Sequence, residues 1–354
     1  MNTQFLKKLN LALLILPILI FLLGELTLIS TTPERARTQG TYFVVGMLGY
    51  AILSFVDYEL LRHYWKPLYI SVLLLLILTF FLGEIRSGSA RWIGAGGFTF
   101  QPSELAKLSI IVSLAALLST NKNTIHKFKE LLRLTGLVVL LVAFVFVQPD
   151  LSTSVIILLI FVGLLFYSGL HIYYFLAATL CIGIFSTPLW SLLHDYQKER
   201  ILVFVNPQLD ILGAGYNVIQ SVIAVGSGQL LGRGFGRGTQ SHLQFLPAYW
   251  TDFIFASYAE EWGFLGVVML IILFSLLLLT LLYVAFKVKD TFGSLISIGV
   301  FVMFFGQYLV NVGMNMGIMP VTGIPLPLVS YGGTSLVVSL LMLGIVQSVW
   351  IYKR

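Results

Sequence analysis

The feature that most constrains this chain is a series of ten long apolar segments. They cover residues 9–30, 40–56, 67–83, 104–120, 132–148, 152–169, 171–189, 260–286, 292–313 and 332–351. A helix needs about 20 apolar residues to cross the hydrocarbon core of a bilayer, where it satisfies its own backbone hydrogen bonds. The pattern therefore predicts an all-α, polytopic membrane protein with about ten transmembrane helices.

The composition agrees with one membrane-embedded domain over residues 1–354. Hydrophobic residues make up 58% of the chain and charged residues only 10%, whereas a soluble domain carries about 25% charged residues. The first apolar segment is too long for a signal peptide, and no small-residue cleavage site follows it. We therefore interpret it as the first span. The single cysteine, Cys181, excludes an internal disulfide.

The basic residues predict the orientation of the chain. Ten spans leave both termini on one side, and the short loops on that side contain more Lys and Arg than Asp and Glu. Such loops are normally cytoplasmic, so we predict cytoplasmic termini. The longest loop on the opposite side covers about residues 190–259, between the seventh and eighth spans. Its aromatic and aliphatic composition predicts short helices and re-entrant pieces rather than disorder.

The most unusual segment is LPAYWTDFIFASYAEEWG at residues 246–263, where the eighth span begins. It places Asp252, Glu260 and Glu261 among aromatic and apolar side chains. A carboxylate at a membrane boundary is costly unless it is solvated or paired, so Asp252 is a candidate functional residue. The alternative is that Asp252 is a helix N-cap. For Glu260 and Glu261, pairing with an outer arginine is an equally good interpretation.

A second polar cluster, QPSELAK at residues 101–107, opens the fourth span. Glu104 and Lys107 are three residues apart, so they share a helix face and can form an ion pair. An unpaired ammonium inside the span would be expensive. Two interpretations stay open: a buried ion pair that fixes the helix register, or a cation that lines a polar cavity.

Two glycine- or proline-rich segments complete the candidate outer face. In GSGQLLGRGFGRG, residues 226–238, backbone amides and the guanidinium groups of Arg233 and Arg237 would suit a phosphate or pyrophosphate. The segment 319–335 contains three prolines, and backbone that is broken at membrane depth must be buried in protein or line a cavity. We predict a re-entrant outer loop there. No histidine spacing indicates a zinc site, and no serine-hydrolase motif is present.

These segments together resemble the SEDS family (shape, elongation, division and sporulation) over essentially the whole chain. The resemblance rests on PVTGIPLP and SYGGTS within residues 320–335, GAGYN at 213–217, GTQS at 238–241 and TDFIFA at 251–256. The Tyr-Asn pair, the Gly-Thr-Gln-Ser segment and the short tails resemble the elongation branch, RodA, more than the division branch, FtsW.

The resemblance implies a peptidoglycan glycosyltransferase that works during cell elongation in the bacterial cytoplasmic membrane, with its active site facing outward. Its substrate would be lipid II, a disaccharide-peptide on undecaprenyl pyrophosphate, and its partner a class B penicillin-binding protein, a transpeptidase. The essential acid of the family corresponds to Asp252, and functional roles are implied for Gln101, Glu104 and Lys107. Where the family often has Glu and His, this chain has Ala248 and Trp250, so we assign those positions no catalytic part.

The implied reaction needs a base for the acceptor proton and positive charge for the leaving pyrophosphate. We predict that Asp252 is the general base, with a pKa raised from about 3.9 by semi-apolar surroundings. The candidates for substrate binding are Gln101, Glu104, Lys107, Arg200, Arg233, Arg237, Ser330 and Gly332. We assign no protein metal site, but a divalent cation, Mg²⁺ or Mn²⁺, bridging Asp252 and pyrophosphate stays open.

Three other functions remain alternatives at this point. A flippase for lipid-linked oligosaccharides would also use a polar cavity and the intramembrane Lys107. A scaffold that only positions a synthase would need no essential carboxylate. A secondary transporter is disfavoured, because the sequence shows no inverted-repeat pattern.

Overall fold

The structure, a computed structural model, describes residues 8–86, 89–95, 98–120, 125–193, 195–210 and 213–353. Its α-helices are α1 (Leu11–Thr31), α2 (Pro33–Phe55), α3 (Glu59–His63), α4 (Trp65–Leu82), α5 (Pro102–Thr120), α6 (Phe128–Val147), α7 (Leu151–Tyr167), α8 (Ile172–Ile184), α9 (Ser186–Leu192), α10 (Asp195–Val205), α11 (Ala214–Ser227), α12 (Thr239–His242), α13 (Ile254–Lys287), α14 (Thr291–Asn315) and α15 (Gly333–Ile351). A 3₁₀-helix covers Pro207–Asp210.

The long helices coincide with the predicted spans. Within the described ranges, seven helices are long and apolar enough to cross a membrane: α1, α4, α5, α6, α13, α14 and α15. Helix α7 and the Ile172–Cys181 part of α8 are apolar but shorter, and α2 has 23 residues but begins with three charged side chains. Each of these ten helices overlaps one predicted segment. The all-α polytopic fold is therefore confirmed, whereas the number of crossings and the orientation stay predictions.

Helices α5, α14 and α15 form the centre of the bundle. The most apolar stretch of α5 and of α15 is 78% buried, but that of α4 and of α6 is only 22% buried, as expected for helices that face lipid. Small residues let α2 approach α15 closely. A Cβ atom on Gly46 would lie 2.5 Å from Leu340 Cδ1, and one on Gly344 would lie 2.8 Å from the Tyr50 backbone. This close packing is typical of membrane helices.

A small antiparallel sheet lies between α4 and α5, in a part of the chain where no strand was predicted. It consists of β1 (Glu84–Arg86), β2 (Ser89–Ala95) and β3 (Phe98–Phe100), in that order. Its last strand is joined to the start of α15, because Thr334 Oγ1 donates to the Thr99 carbonyl at 3.1 Å and accepts from the Gln101 N–H at 3.1 Å. The sheet thereby lies beside the start of α5.

The two long segments that the sequence predicts on the outer side differ from each other in structure. The predicted loop 190–259 contains α10, the 3₁₀-helix, α11 and α12, so its short helices are confirmed. Between α14 and α15 the chain is irregular, as its prolines predict. Asp252 lies within the first of these segments, in the turn before α13, and the second segment contacts that turn through Ser330 and Tyr331.

Candidate functional site

Asp252 lies in a turn immediately before α13, and its backbone is held by two amides of α14. Its carbonyl oxygen accepts hydrogen bonds from Nδ2 of Asn311 and Nδ2 of Asn315, each at 3.0 Å. Asn315 Oδ1 also accepts from the N–H of Ala256 at 3.1 Å, within the first turn of α13. The N-cap position of α13 is Phe253, whose own side chain makes no capping hydrogen bond. The alternative that Asp252 is an N-cap is therefore wrong, and its carboxylate is left for another role.

The proline-rich segment after α14 forms a wall beside the Asp252 carboxylate. A Cβ atom on Gly323 would lie 3.3 Å from Asp252 Oδ2, and Gly323 has a left-handed φ of 76°. The neighbouring Thr322 carbonyl accepts hydrogen bonds from Ser152 Oγ and, at 2.8 Å, from Arg200 Nη1. Glycine is needed at position 323 for its conformation and for space beside the carboxylate. The segment thereby brings α7, α10 and Asp252 together.

The electrostatic surroundings of Asp252 combine burial with two guanidinium groups. The side chain is partly buried, and burial raises the pKa of Asp252 above its usual range, whereas the positive charges of Arg200 and then Arg91 oppose that rise. A raised pKa brings a carboxylate closer to the value that suits a base at neutral pH. The same two cations lie where an anionic leaving group could be stabilised. Arg200 was a predicted site residue, and Arg91 was not.

A second buried carboxylate, Asp150, organises the first turns of α5 and α7. It accepts hydrogen bonds from Gln101 Nε2 at 2.9 Å and Ser103 Oγ at 2.8 Å, and it caps α7 through the Thr153 N–H at 3.1 Å. Arg91 Nη1 lies 3.6 Å from Asp150 Oδ1. The predicted site residue Gln101 therefore contacts Asp150. Sequence reasoning missed Asp150, although a carboxylate that starts an apolar helix is the available signal.

The Glu104–Lys107 ion pair is confirmed. Lys107 Nζ lies 2.7 Å from Glu104 Oε2, and the two side chains are only 2% and 5% exposed. In the described part of the chain, no hydrogen bond or ion pair links this pair directly to Asp252. The contacts thus agree with a buried pair that fixes α5, and the predicted substrate role of both residues stays a prediction.

Ser330 and Gly332 support the backbone next to Asp252. Ser330 Oγ donates to the Thr251 carbonyl at 2.7 Å and accepts from the Leu326 N–H at 2.8 Å. The amide of Gln39 donates to the Ser330 carbonyl at 2.9 Å and accepts from the Gly332 N–H at 3.2 Å. These bonds hold residues 326–332 against the turn that contains Asp252. Contact of Ser330 or Gly332 with substrate stays a prediction.

The remaining predicted residues, Arg233 and Arg237, lie on the glycine-rich segment beside a break in α13. Both side chains are exposed, and Arg233 Nε donates to the Ser227 carbonyl at 3.1 Å. Helix α13 is broken at Gly263, which has φ 64°, and the freed carbonyl of Glu260 accepts from the Arg233 N–H at 2.8 Å. The structure thus groups Arg233 and Arg237 with the first turns of α13, and it groups Arg200 and Arg91 with Asp252.

Glu260 and Glu261 fix this glycine-rich segment. Both are buried, at 0% and 1% exposure. Glu260 Oε1 accepts from Thr239 Oγ1 at 3.1 Å and from the Gln240 N–H at 3.0 Å. Glu261 Oε1 accepts from Ser30 Oγ and from the Gly236 N–H at 3.3 Å. Among the residues that the structure describes, no arginine forms an ion pair with either glutamate, so the predicted pairing with an outer arginine is replaced by hydrogen bonds to hydroxyl and backbone groups.

The described residues contain no group of three or more His, Cys, Asp or Glu side chains that could hold a metal ion. Among these residues, Asp252 is therefore not part of a carboxylate or histidine cluster. A divalent cation between Asp252 and pyrophosphate stays a prediction.

Comparison with known proteins identifies the relatives of this chain. The family model for FtsW, RodA and SpoVE, described as "Cell cycle protein", matches residues 4–354. The peptidoglycan glycosyltransferase MrdB of Escherichia coli K12 is 41% identical over 296 residues, which are 82% of this chain and 79% of MrdB. Stage V sporulation protein E of Bacillus subtilis is 36% identical over 322 residues, 90% of this chain and 87% of that protein.

Two solved structures have the same fold. A chain from a structure described as "Structural coordination of polymerization and crosslinking by a peptidoglycan synthase complex" is 33% identical, with a TM-score of 0.85 and 98% coverage of each chain. The rod shape determining protein RodA of Thermus thermophilus is 29% identical, with a TM-score of 0.74 and 98% coverage of each chain. The resemblance found in the motifs is thereby confirmed, and the chain belongs to the FtsW/RodA/SpoVE family of membrane proteins.

Proposed function

We propose that this chain, a peptidoglycan glycosyltransferase like its relatives, polymerises lipid II during cell elongation with Asp252 as its general base. The donor is the growing glycan on undecaprenyl pyrophosphate, and the acceptor is a free sugar hydroxyl of a second lipid II. The acceptor oxygen bonds to the anomeric carbon, the bond from that carbon to the pyrophosphate oxygen breaks, and undecaprenyl pyrophosphate leaves. The hydroxyl proton passes to the Asp252 carboxylate.

The observation that carries this proposal is the placement of the Asp252 carboxylate. Two α14 amides fix its backbone, burial raises its pKa, and two guanidinium charges lie close enough to act on it. A positioned base contributes about 10² to 10⁴-fold to a rate, and a base is most effective when its pKa lies near the working pH. Among the carboxylates of the described residues, Asp252 combines a backbone held by hydrogen bonds with burial and two nearby positive charges.

We propose that Arg200 stabilises the leaving pyrophosphate, with Arg91 beside it. Arg200 is oriented by its hydrogen bond to the Thr322 carbonyl, and Arg91 by its contact with Asp150. Guanidinium groups suit this task because they donate paired hydrogen bonds to phosphate oxygens and remain charged. A Mg²⁺ or Mn²⁺ ion between Asp252 and pyrophosphate would supply further positive charge. Binding roles for Lys107, Arg233 and Arg237 remain predictions.

The proposed location is the bacterial cytoplasmic membrane, with Asp252 facing outward. The clustering of basic residues in the loops at the opposite end of the bundle supports this orientation. We also propose a class B penicillin-binding protein as the partner. This part is supported by the structural neighbour, whose description combines polymerisation with crosslinking in one synthase complex.

The alternative function is a flippase that moves lipid II without chemistry. The two functions separate in detergent, where no bilayer exists to flip across. The test supplies labelled lipid II to the purified chain with its transpeptidase partner and follows the conversion to polymer on gels. We expect glycan strands to form. Intact lipid II after prolonged incubation with folded protein would favour the flippase.

Arginine variants test the leaving-group proposal. Arg200→Ala is expected to lower the polymerisation rate strongly, because the variant removes positive charge beside Asp252. Arg133→Ala is the matched control, since Arg133 is half-exposed and pairs with Glu130 at 3.5 Å at the other end of the bundle. Arg233→Ala and Arg237→Ala test the predicted roles of those residues in the same assay. Equal rates for Arg200→Ala and Arg133→Ala would contradict the assignment of Arg200.

A further inference from the structure

A cavity of about 420 Å³ lies at the end of the bundle opposite to Asp252. It is lined by the last turns of α5, α7 and α13 and by the first turns of α14, and it is partly open to the surroundings of the protein. Ser294 belongs to its wall, whereas Asn315, 21 residues later on the same helix, binds the Asp252 carbonyl. At a rise of 1.5 Å per residue the two points are about 32 Å apart. The cavity is therefore separate from the glycosyl-transfer site.

The cavity wall has a polar part and an apolar part. The polar part includes Lys289, Thr291 and Ser168, and the Ser168 hydroxyl is buried without a hydrogen-bond partner among the described residues. The apolar part includes Leu118 and Phe286. Tyr167 and Ser294 also line the cavity, but their hydroxyls are paired with each other at 2.7 Å. Such a wall fits a ligand with an anionic end that accepts hydrogen bonds and an apolar remainder.

We propose that this cavity binds the headgroup of an anionic diacyl phospholipid from the cytoplasmic leaflet. The phosphate contacts the Lys289 ammonium and the Ser168 hydroxyl, and the first part of the acyl chains packs on Leu118 and Phe286. The volume falls within the range of about 300 to 1,000 Å³ that small-molecule sites occupy. Basic pockets between transmembrane helices on the cytoplasmic side are known to bind anionic lipid headgroups. The assignment of the cavity to the cytoplasmic leaflet depends on the predicted orientation of the chain. Binding of the lipid does not depend on the proposed glycosyltransferase function.

Titration of the delipidated chain in detergent with short-chain phosphatidylglycerol tests the proposal, with binding followed by native mass spectrometry. We expect saturable binding, and Lys289→Ala is expected to weaken it about fivefold, the contribution of one lysine near an anionic surface. Lys287→Ala is the matched control, because Lys287 is exposed and does not line the cavity. Equal weakening in both variants would overturn the proposal, since it would indicate general surface charge.

Two further experiments test which part of the lipid the cavity recognises. Phosphatidylcholine is expected to bind much more weakly than phosphatidylglycerol, and equal binding of both lipids would overturn the role of the anionic headgroup. Inorganic phosphate at millimolar concentration is expected not to displace the lipid. Complete displacement would assign the site to free phosphate and would overturn the lipid proposal.

A cavity-filling variant links the binding to this place. Leu118→Trp is expected to abolish phosphatidylglycerol binding while lipid II polymerisation continues at the opposite end of the bundle, with thermal unfolding as the check on its fold. Normal lipid binding in a folded Leu118→Trp protein would overturn the location. Asp252→Asn is expected to keep phosphatidylglycerol binding, so failure of the glycosyltransferase proposal and failure of this one give different results.

Discussion

Asn315→Ala is expected to displace Asp252 while the bundle remains folded. The substitution removes the 3.0 Å hydrogen bond to the Asp252 carbonyl and leaves the buried N–H of Ala256 without its acceptor. A lost hydrogen bond costs about 1 kcal/mol and an unpaired buried N–H about 1 to 3 kcal/mol, so the local loss is about 2 to 4 kcal/mol. Asn311 still donates to the same carbonyl at 3.0 Å, which limits the displacement. A shift of about 1 Å at a catalytic group can cost about 10²-fold in rate.

The assay for this prediction is the rate of lipid II polymerisation at saturating substrate. We expect Asn315→Ala to lower kcat by about 10- to 100-fold with a smaller change in KM, because the variant moves the base and leaves the arginines in place. Gln307→Ala is the matched control: Gln307 is a buried amide on the same helix, and within the described residues it makes no hydrogen bond to the Asp252 turn. A wild-type kcat for folded Asn315→Ala would refute the positioning argument.

Three further predictions concern stability in detergent, measured by thermal unfolding. Glu104→Gln or Lys107→Met alone is expected to lower the free energy of unfolding by about 3 to 5 kcal/mol, because each leaves a buried charge without its partner. The double variant should recover most of that loss. Additive losses in the double variant would contradict this prediction. Gly263→Ala should destabilise, since Gly263 has φ 64° and its Cβ would lie 2.2 Å from a backbone nitrogen, whereas Gly136→Ala has open space and should not. Asp252→Asn should raise the melting temperature at neutral pH, because burial raises the pKa of Asp252 and so makes its charged form unfavourable in the folded state; the gain should vanish below about pH 3.9, where Asp252 is protonated in both states.

The positions of the helices could be predicted from the sequence because a membrane span is recognised by the number of consecutive apolar residues alone. Each span needs about 20 apolar residues, and that requirement is visible without knowledge of any neighbour. The Glu104–Lys107 pair was predictable for the same reason, since both residues lie on one helix face. The sheet of β1, β2 and β3 was not predictable, because its strands are short and are held in place by contacts with α15.

The composition of the site could be predicted only in part, because its decisive contacts join distant parts of the chain. Asp252 was identified from its place in a motif, but its support by Asn311 and Asn315 depends on how α13 packs against α14. Asp150 was missed because its partners are distant in the sequence: Gln101 lies just before α5 and Ser103 lies in its first turn. In the sequence, Arg200 and Arg233 were equally good candidates for substrate binding. Only the fold shows that Arg200 lies beside Asp252 and Arg233 beside the break in α13.

The central claim is that Asp252 accepts the acceptor proton during glycan polymerisation. Its most direct test compares wild type with Asp252→Asn in a single-turnover assay with labelled lipid II, using purified, folded protein with its transpeptidase partner. The variant keeps the shape of the side chain and removes the base, so we predict a rate lower by about 10² to 10⁴-fold with lipid II binding retained. Polymerisation by the folded variant at the wild-type rate would contradict the claim.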